Sequence, residues 1–148
     1  QGLSSEERTM INRVLDLQNL TVRQITIPLS QMVTVTRQTP VNDVLAQARG
    51  HGFNRLPVWN TDGSGRRIVG LLSVRSLLEE EALDERKTAG DFLQPALYLD
   101  DEMRLEVALR QMQRTGQRLA IVLARDHAEL GMVSLQDILR VIFGEVRL

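Results

Sequence analysis

Ser134 and Asp137 stand three residues apart, where the apolar stretch L-G-M-V (residues 130–133) gives way to a helical pattern. A strand that leads directly into a helix brings unpaired backbone N–H groups to one point, and the helix dipole favours an anion there. Ser134 can cap this helix, and Asp137 can hold a sugar hydroxyl beside the anion. Because a phosphate beside a ribose is what a nucleotide offers, the spacing indicates a nucleotide-binding turn.

The same two residues also fit an ordinary helix cap. In a capping box the acidic side chain reaches back to the backbone N–H of the capping residue, and Ser134 and Asp137 taken alone favour this interpretation. The binding interpretation gains weight because the chain contains a counterpart of the pattern. Ser73 stands at the equivalent place there, and Ser76 takes the place of the acid.

The composition excludes several classes of function. The chain has 148 residues with 18 basic and 19 acidic side chains and a net charge of -1, so we expect no nucleic-acid partner. It has no cysteine, which excludes disulfides and thiolate metal sites. Its apolar runs are far shorter than the roughly 20 residues that span a bilayer, and no signal peptide is visible.

The apolar periodicity predicts a helix followed by one order of elements in two copies. The helix covers residues 4–17, starts at a capping box of Ser4 and Glu7, and should pack through Met10, Ile11, Val14, Leu15 and Leu17. In the first copy we expect strands at 32–35, 56–59 and 68–72, a hairpin turn at 60–67, and helices from Pro40 to about Gly50 and over 74–83. In the second copy we expect strands at 97–99, 119–123 and 131–133, a turn at 125–129, and helices at 103–114 and 135–143. Short turns precede the two copies and end before Pro28 and Pro95.

An internal repeat supports this order. Arg55 and Arg118 differ by 63 positions, and after the hairpin Ser73 and Ser134 differ by 61, so the second hairpin should be two residues shorter. We therefore predict a mixed α/β fold of the α+β kind, with two pseudo-symmetric repeats that each form a three-stranded sheet with two helices. The expected boundaries are 1–18 for a linker helix, 19–86 for the first repeat and 87–148 for the second.

Three motifs in this order resemble a tandem pair of CBS domains, a Bateman module. They are R-L-P-V at residues 55–58, G-L-L-S-V-R-S at 70–76 and G-M-V-S-L-Q-D at 131–137. The G-x-x-S/T-x-x-D signature is weak singly and fairly specific when it occurs twice at matching positions. The resemblance covers roughly residues 20–143.

The flanking segments resemble the CorC/CNNM-type, hemolysin-like magnesium and cobalt efflux family. Residues 4–28 are similar to the segment leading into its CBS pair, and D-I-L-R-V-I-F-G-E-V at 137–146 is similar to its D-I-L-E-E-I-V-G-E-I. Pro28-Leu29 stands where that family has Pro-Arg, and residues 125–129 replace an acidic, glycine-rich hairpin. The resemblance implies a cytoplasmic piece of an inner- or plasma-membrane protein, an attached membrane domain, and a homodimer formed through the CBS helices.

CBS pairs of this kind bind adenine nucleotides in a cleft between the repeats, so the resemblance implies a ligand such as ATP, ADP or AMP, with or without Mg²⁺. Asp137 would hold the ribose, and Ser134 with Arg118 would hold phosphate. The adenine slot would comprise Met32, Val33, Phe53 and Asn54. A second, weaker site would comprise Arg55, Ser73, Ser76, Tyr98 and Gln117, since the hydroxyl of Ser76 cannot replace a carboxylate.

Catalysis is not indicated. His51 and His127 lack metal-ligand spacing, and no nucleophile–base pair is visible, so we expect neither a metal site nor an enzyme. The leading hypothesis is a regulatory nucleotide-binding module that acts on a magnesium or cobalt transport protein. The alternative is a ligand-free structural dimerisation module.

Overall fold

The computed structural model describes residue 2 and residues 4–61 and 66–144, and for residues 13–18 the course of the backbone. Its helices are α1 (Ser5–Asn19), α2 (Val41–Ala48), α3 (Val74–Leu78), α4 (Leu105–Thr115) and α5 (Leu135–Phe143). Its strands are β1 (Ile27–Pro28), β2 (Val35–Thr36), β3 (Arg55–Asn60), β4 (Arg67–Ser73), β5 (Leu97–Asp100), β6 (Leu119–Leu123) and β7 (Glu129–Ser134). Short 3₁₀ turns occupy Val22–Ile25, Leu29–Gln31 and Ala89–Phe92. The predicted α+β class with two small sheets is confirmed.

The chain divides into two compact units. The first-repeat unit is Pro28–Ala96, and the second-repeat unit combines Gln1–Ile27 with Leu97–Leu148. Packing thus divides the chain at different residues from the predicted boundaries at 18/19 and 86/87. Those boundaries describe the repeat in the sequence, and they stay a prediction.

The first-repeat unit is built on the sheet β2-β3-β4, in which β2 runs parallel and β4 antiparallel to β3. The turn that precedes the second repeat in the sequence completes this unit, since the N–H of Ala89 donates to the carbonyl of Thr39 at 2.8 Å. The buried core comprises Val35, Val41, Val44, Ala48, Leu56, Val58, Leu72, Leu77 and Ala89.

The second-repeat unit is built on the sheet β1-β7-β6-β5. The turn that precedes the first repeat completes it in the same way, since the N–H of Val22 donates to the carbonyl of Met103 at 2.8 Å. Its buried core comprises Val22, Leu99, Leu105, Ala108, Met112, Ala120, Val122, Val133 and Ile138. Each unit therefore contains the turn that precedes the other repeat in the sequence. In the second-repeat unit, β1 adds a fourth strand to the three that were predicted.

The strand registers correct the predicted alignment of the repeats. Val58 pairs with Gly70 in β3–β4, and Val122 pairs with Gly131 in β6–β7. The segments before the hairpins are therefore offset by 64 positions rather than 63, while the later offset of 61 holds. The predicted match of Arg55 with Arg118 is wrong by one residue, because the second hairpin is three residues shorter, not two.

Several predicted boundaries also change. The strand expected at 32–35 is confined to Val35–Thr36, because the 3₁₀ turn after Pro28 extends to Met32, whose N–H donates to the carbonyl of Leu29. The helix expected at 74–83 ends at Leu78. Residues 79–81 are three consecutive glutamates, and acidic side chains are unfavourable at the negative end of a helix.

The N-terminal helix is confirmed, and its apolar face is only partly described. The N–H of Glu7 donates to Oγ of Ser4 at 3.1 Å, as expected of a capping box. Met10 is 68% exposed and Ile11 is 44% exposed, so within this chain neither packs as predicted. The side chains of Val14, Leu15 and Leu17 lie outside the described residues, as do positions 62–65 of the predicted hairpin turn. Within residues 4–61 and 66–144, none of the helices combines the length and apolar character that a membrane crossing needs.

Candidate functional site

The junction of β7 and α5 has the predicted cap. Ser134 ends β7 with extended backbone (φ -104, ψ 149), and its Oγ accepts the N–H of Asp137 at 3.0 Å. This satisfies one of the N–H groups that the first turn of a helix leaves unpaired. The plain capping role of Ser134 is therefore present whether or not the turn also binds a ligand.

A cavity of about 480 Å³ lies in front of this junction. It is lined by Arg118, Leu119, Ser134, Leu135, Gln136 and Leu139. The three leucines give it an apolar wall, and Arg118 supplies a permanent positive charge with several N–H donors. Such a lining can hold a ligand that combines an apolar body with an anionic group.

The N-terminus of α5 offers fewer free donors than the sequence predicted. The N–H of Leu135 donates to the carbonyl of Arg118 at 2.8 Å, and that of Asp137 to Ser134. Among the described residues, the N–H of Gln136 has no hydrogen-bond partner. One backbone donor, rather than a set of them, is therefore available beside the guanidinium group of Arg118.

Asp137 points to a partner on its own helix. Its Oδ1 accepts from Nη1 of Arg140 at 3.1 Å, its side chain is 28% exposed, and it does not line the cavity. A partly exposed ion pair three residues apart on a helix contributes only about 0.3–0.5 kcal/mol, so the carboxylate can exchange this partner for another at little cost.

The corresponding junction in the first-repeat unit is closed by the protein itself. Ser73 is buried, and its Oγ accepts the N–H of Ser76 at 3.2 Å. The carbonyl of Asn54 accepts the N–H of Val74 at 2.7 Å, and Oδ1 of Asn54 accepts the N–H of Arg75 at 2.9 Å. All three leading N–H groups of α3 are therefore paired.

Asn54 and Arg118 occupy the same structural position, which the sequence reasoning missed. The carbonyl oxygen of each accepts the first N–H of the helix that follows, and the corrected offset of 64 aligns the two residues. Arg55 corresponds to Leu119 instead. Its Nε is buried and, in the described part of the chain, without a hydrogen-bond partner. The preference of asparagine for helix caps was the signal available for this role, but the helix that Asn54 caps, α3, begins 20 residues later in the chain.

The residues predicted for an adenine slot belong to the first-repeat unit. Val33 and Phe53 are half-buried and pack against its core, Met32 is half-buried, and Asn54 is exposed. Tyr98 and Gln117 of the predicted weaker site belong to the second-repeat unit. Tyr98 lines a different cavity, of about 220 Å³, with Leu99, Asp100, Leu123, Ala124, Arg125 and His127.

Tyr98 should titrate above the ordinary range for a tyrosine. Burial, and next the negative charge of Glu129, raise the pKa of its hydroxyl. Because the folded state keeps the proton longer than the unfolded state, this contribution to stability is present below the unfolded pKa and is lost as pH rises through the folded pKa. Tyr98 is the one tyrosine of the chain, so absorbance of tyrosinate follows it alone. A midpoint at or below that of the unfolded chain would contradict the expectation.

Metal-binding clusters are absent from the described residues: no group of three or more His, Asp or Glu side chains there is placed to hold an ion.

The chain contains two similar small α+β units. In each unit a strand runs directly into a helix that is capped by a serine, Ser73 or Ser134. The CBS domain family model matches residues 22–82 and 89–144. The chain therefore belongs to the CBS domain family, as a tandem pair.

Curated relatives of this chain include a magnesium and cobalt efflux protein. The magnesium and cobalt efflux protein CorC of Escherichia coli K12 is 28% identical over 145 residues, which cover 97% of this chain and 49% of CorC. A Mycobacterium tuberculosis protein, UPF0053 protein Rv2366c, is 26% identical over 148 residues, covering 97% of this chain and 34% of that protein. The chain thus spans half or less of the length of these relatives.

Solved structures agree with this relationship. The CBS domain of a bacterial CNNM/CorC family Mg²⁺ transporter in complex with ATP matches with a TM-score of 0.83 and 28% identity, covering 95% of this chain and 99% of that one. The same family's CBS domain in complex with an inhibitor, IGN95a, matches with a TM-score of 0.81 and 27% identity, covering 98% and 89%. The predicted resemblance to the CorC/CNNM family is confirmed.

Proposed function

We propose that this chain is a regulatory module that binds an adenine nucleotide at the N-terminus of α5. The observation that carries the proposal is the cavity of about 480 Å³ lined by Arg118, Ser134 and Gln136. A guanidinium group and an unpaired backbone N–H at a helix N-terminus favour a phosphate, and the leucine wall favours an apolar surface of the ligand. The ATP complex of a related CBS domain supports this choice of ligand.

Each residue then has a distinct role. Arg118 and the N–H of Gln136 hold phosphate oxygens, and the hydroxyl of Ser134 keeps the turn in shape while it caps α5. Asp137 breaks its ion pair with Arg140 and accepts hydrogen bonds from the ribose hydroxyls. A carboxylate can accept two such hydrogen bonds and forms them strongly. Met32, Val33, Phe53 and Asn54 remain our proposal for the adenine slot. Mg²⁺, where present, comes with the phosphates.

The weaker site proposed at Arg55, Ser73, Ser76, Tyr98 and Gln117 should bind poorly. Ser76 lacks the carboxylate, and the leading N–H groups of α3 are all paired within the protein. Of these five residues, as far as the structure describes them, Arg55 is the one that offers an unpaired buried donor. We therefore propose one competent nucleotide site per chain.

The module would act on an attached membrane domain that transports magnesium or cobalt, on its cytoplasmic side and without catalysing a reaction. The relatives, of which this chain covers only 49% and 34%, support the existence of further domains. A ligand can shift the arrangement of such a protein only by its different affinity for two states. Leu78 (69% exposed) and Phe143 (66% exposed) lie at the ends of α3 and α5, and we propose them as part of a homodimer interface formed by these helices.

Isothermal titration calorimetry of this chain with ATP, ADP and AMP, with and without Mg²⁺, tests the proposal. We expect saturable binding of at least one nucleotide with one site per chain. No binding of any nucleotide by the folded protein would overturn the proposal. It would favour the second candidate, a structural dimerisation module, which the exposed Leu78 and Phe143 and the Asp137–Arg140 ion pair support.

A further inference from the structure

Position 54 in the first-repeat unit and position 118 in the second-repeat unit share one backbone role. The carbonyl oxygen of Asn54 accepts the first N–H of α3 at 2.7 Å, and the carbonyl oxygen of Arg118 accepts the first N–H of α5 at 2.8 Å. The backbone thus presents each of the two side chains to the start of the helix that follows it.

The two side chains have opposite effects on the next N–H group. Oδ1 of Asn54 accepts the N–H of Arg75 at 2.9 Å, which closes the start of α3. Arg118 has no acceptor atom in its side chain, so it cannot cap the N–H of Gln136 in this way. That N–H is without a partner in the described residues, and both Arg118 and Gln136 line the cavity.

We propose that residue 118 determines whether the start of α5 is open to a phosphate. An arginine at this position leaves the N–H of Gln136 open and adds a positive charge beside it, whereas an asparagine closes it, as Asn54 does in the other repeat. The expected difference in nucleotide binding between the two repeats then has two causes. One is that Ser76 stands in the first repeat where Asp137 stands in the second, and the other is the difference between Asn54 and Arg118. This inference rests on the proposed nucleotide function.

The test compares Arg118→Asn with Arg118→Gln. Both variants remove the same charge, and both should fold, because the side chain of Arg118 is exposed and its structural bond is made by its backbone carbonyl. The shorter asparagine matches the geometry seen at position 54, and the longer glutamine is a poorer cap. Arg125→Asn, in an exposed turn of the same unit, is the control for loss of charge alone.

Calorimetry with ATP should give about tenfold weaker binding for Arg118→Gln, from the lost charge-assisted hydrogen bond, and roughly a further fivefold loss for Arg118→Asn, from the closed N–H. Arg125→Asn should bind like the wild type. Equal affinities of Arg118→Asn and Arg118→Gln would overturn the inference.

Hydrogen exchange of the Gln136 amide in the ligand-free protein gives an independent readout. We expect slower exchange in Arg118→Asn than in Arg118→Gln or the wild type, because the new side chain accepts that N–H. Unchanged exchange would also overturn the inference. If the wild type binds no nucleotide, the proposed function fails, while this exchange measurement still decides whether residue 118 closes the helix.

Discussion

Asp137→Ala should weaken nucleotide binding by roughly 30-fold or more, because the ribose hydroxyls lose a carboxylate that can accept two charge-assisted hydrogen bonds. The fold should be unaffected, since the bond that Asp137 makes to Ser134 uses its backbone N–H, which alanine retains. Titration calorimetry with ATP measures the affinity, and circular dichroism confirms the fold. Binding that persists within about threefold of the wild type would contradict the assigned role.

Arg140→Ala is the matched control for this variant. It breaks the same ion pair, of 3.1 Å between Nη1 and Oδ1, but leaves the carboxylate of Asp137 in place. Because such an exposed pair contributes little, we expect the affinity of Arg140→Ala to stay within about twofold of the wild type. If both variants lose binding equally, the ion pair rather than the ribose contact explains the loss.

Gly131→Ala should lower the free energy of unfolding by about 3 kcal/mol, the largest effect that we expect of a single methyl group in this chain. A Cβ at Gly131 would overlap the carbonyl oxygen of Ile27 and approach Cγ2 of Thr26 to 2.9 Å. The obstacle is backbone, which cannot rotate away, so β1 must move off β7. Urea unfolding of the variant and the wild type measures the effect.

Gly116→Ala separates this overlap from the general cost of replacing a glycine. Gly116 follows α4 with φ 72, and nothing lies within 4 Å of a Cβ added there. We expect a loss of about 1 kcal/mol from the left-handed backbone alone. A Gly131→Ala variant no less stable than Gly116→Ala would show that β1 is not held tightly against β7.

Local patterns predicted the elements of this fold well. The start of α5 at Ser134 and the short turn before Pro28 follow from capping chemistry and from proline, which act within a few residues. The end of α3 at Leu78 was missed, although residues 79–81 carry the reason, because the apolar pattern continues to Leu83 while three acidic side chains oppose a longer helix.

Contacts between distant segments could not be predicted in the same way. The repeated Arg-Leu pairs at 55–56 and 118–119 suggested an offset of 63, whereas hydrogen bonding aligns the strands at 64. A register error of one residue exchanges the roles of neighbouring side chains. It was this error that paired Arg118 with Arg55 and concealed its true counterpart, Asn54. The packing of each leading turn with the other repeat was also missed, because it depends on contacts between distant residues, such as Val22 with Met103, that leave no local pattern in the sequence.

The central claim is that one adenine nucleotide binds at the start of α5 and that the start of α3 stays closed. NMR chemical-shift mapping of the ¹⁵N-labelled chain during titration with ATP tests it most directly. We expect large shifts of the amides of Gln136 and Asp137 and smaller shifts of those of Arg75 and Ser76. Larger shifts at Arg75 and Ser76 than at Gln136 and Asp137, or no shifts at either helix, would contradict the account.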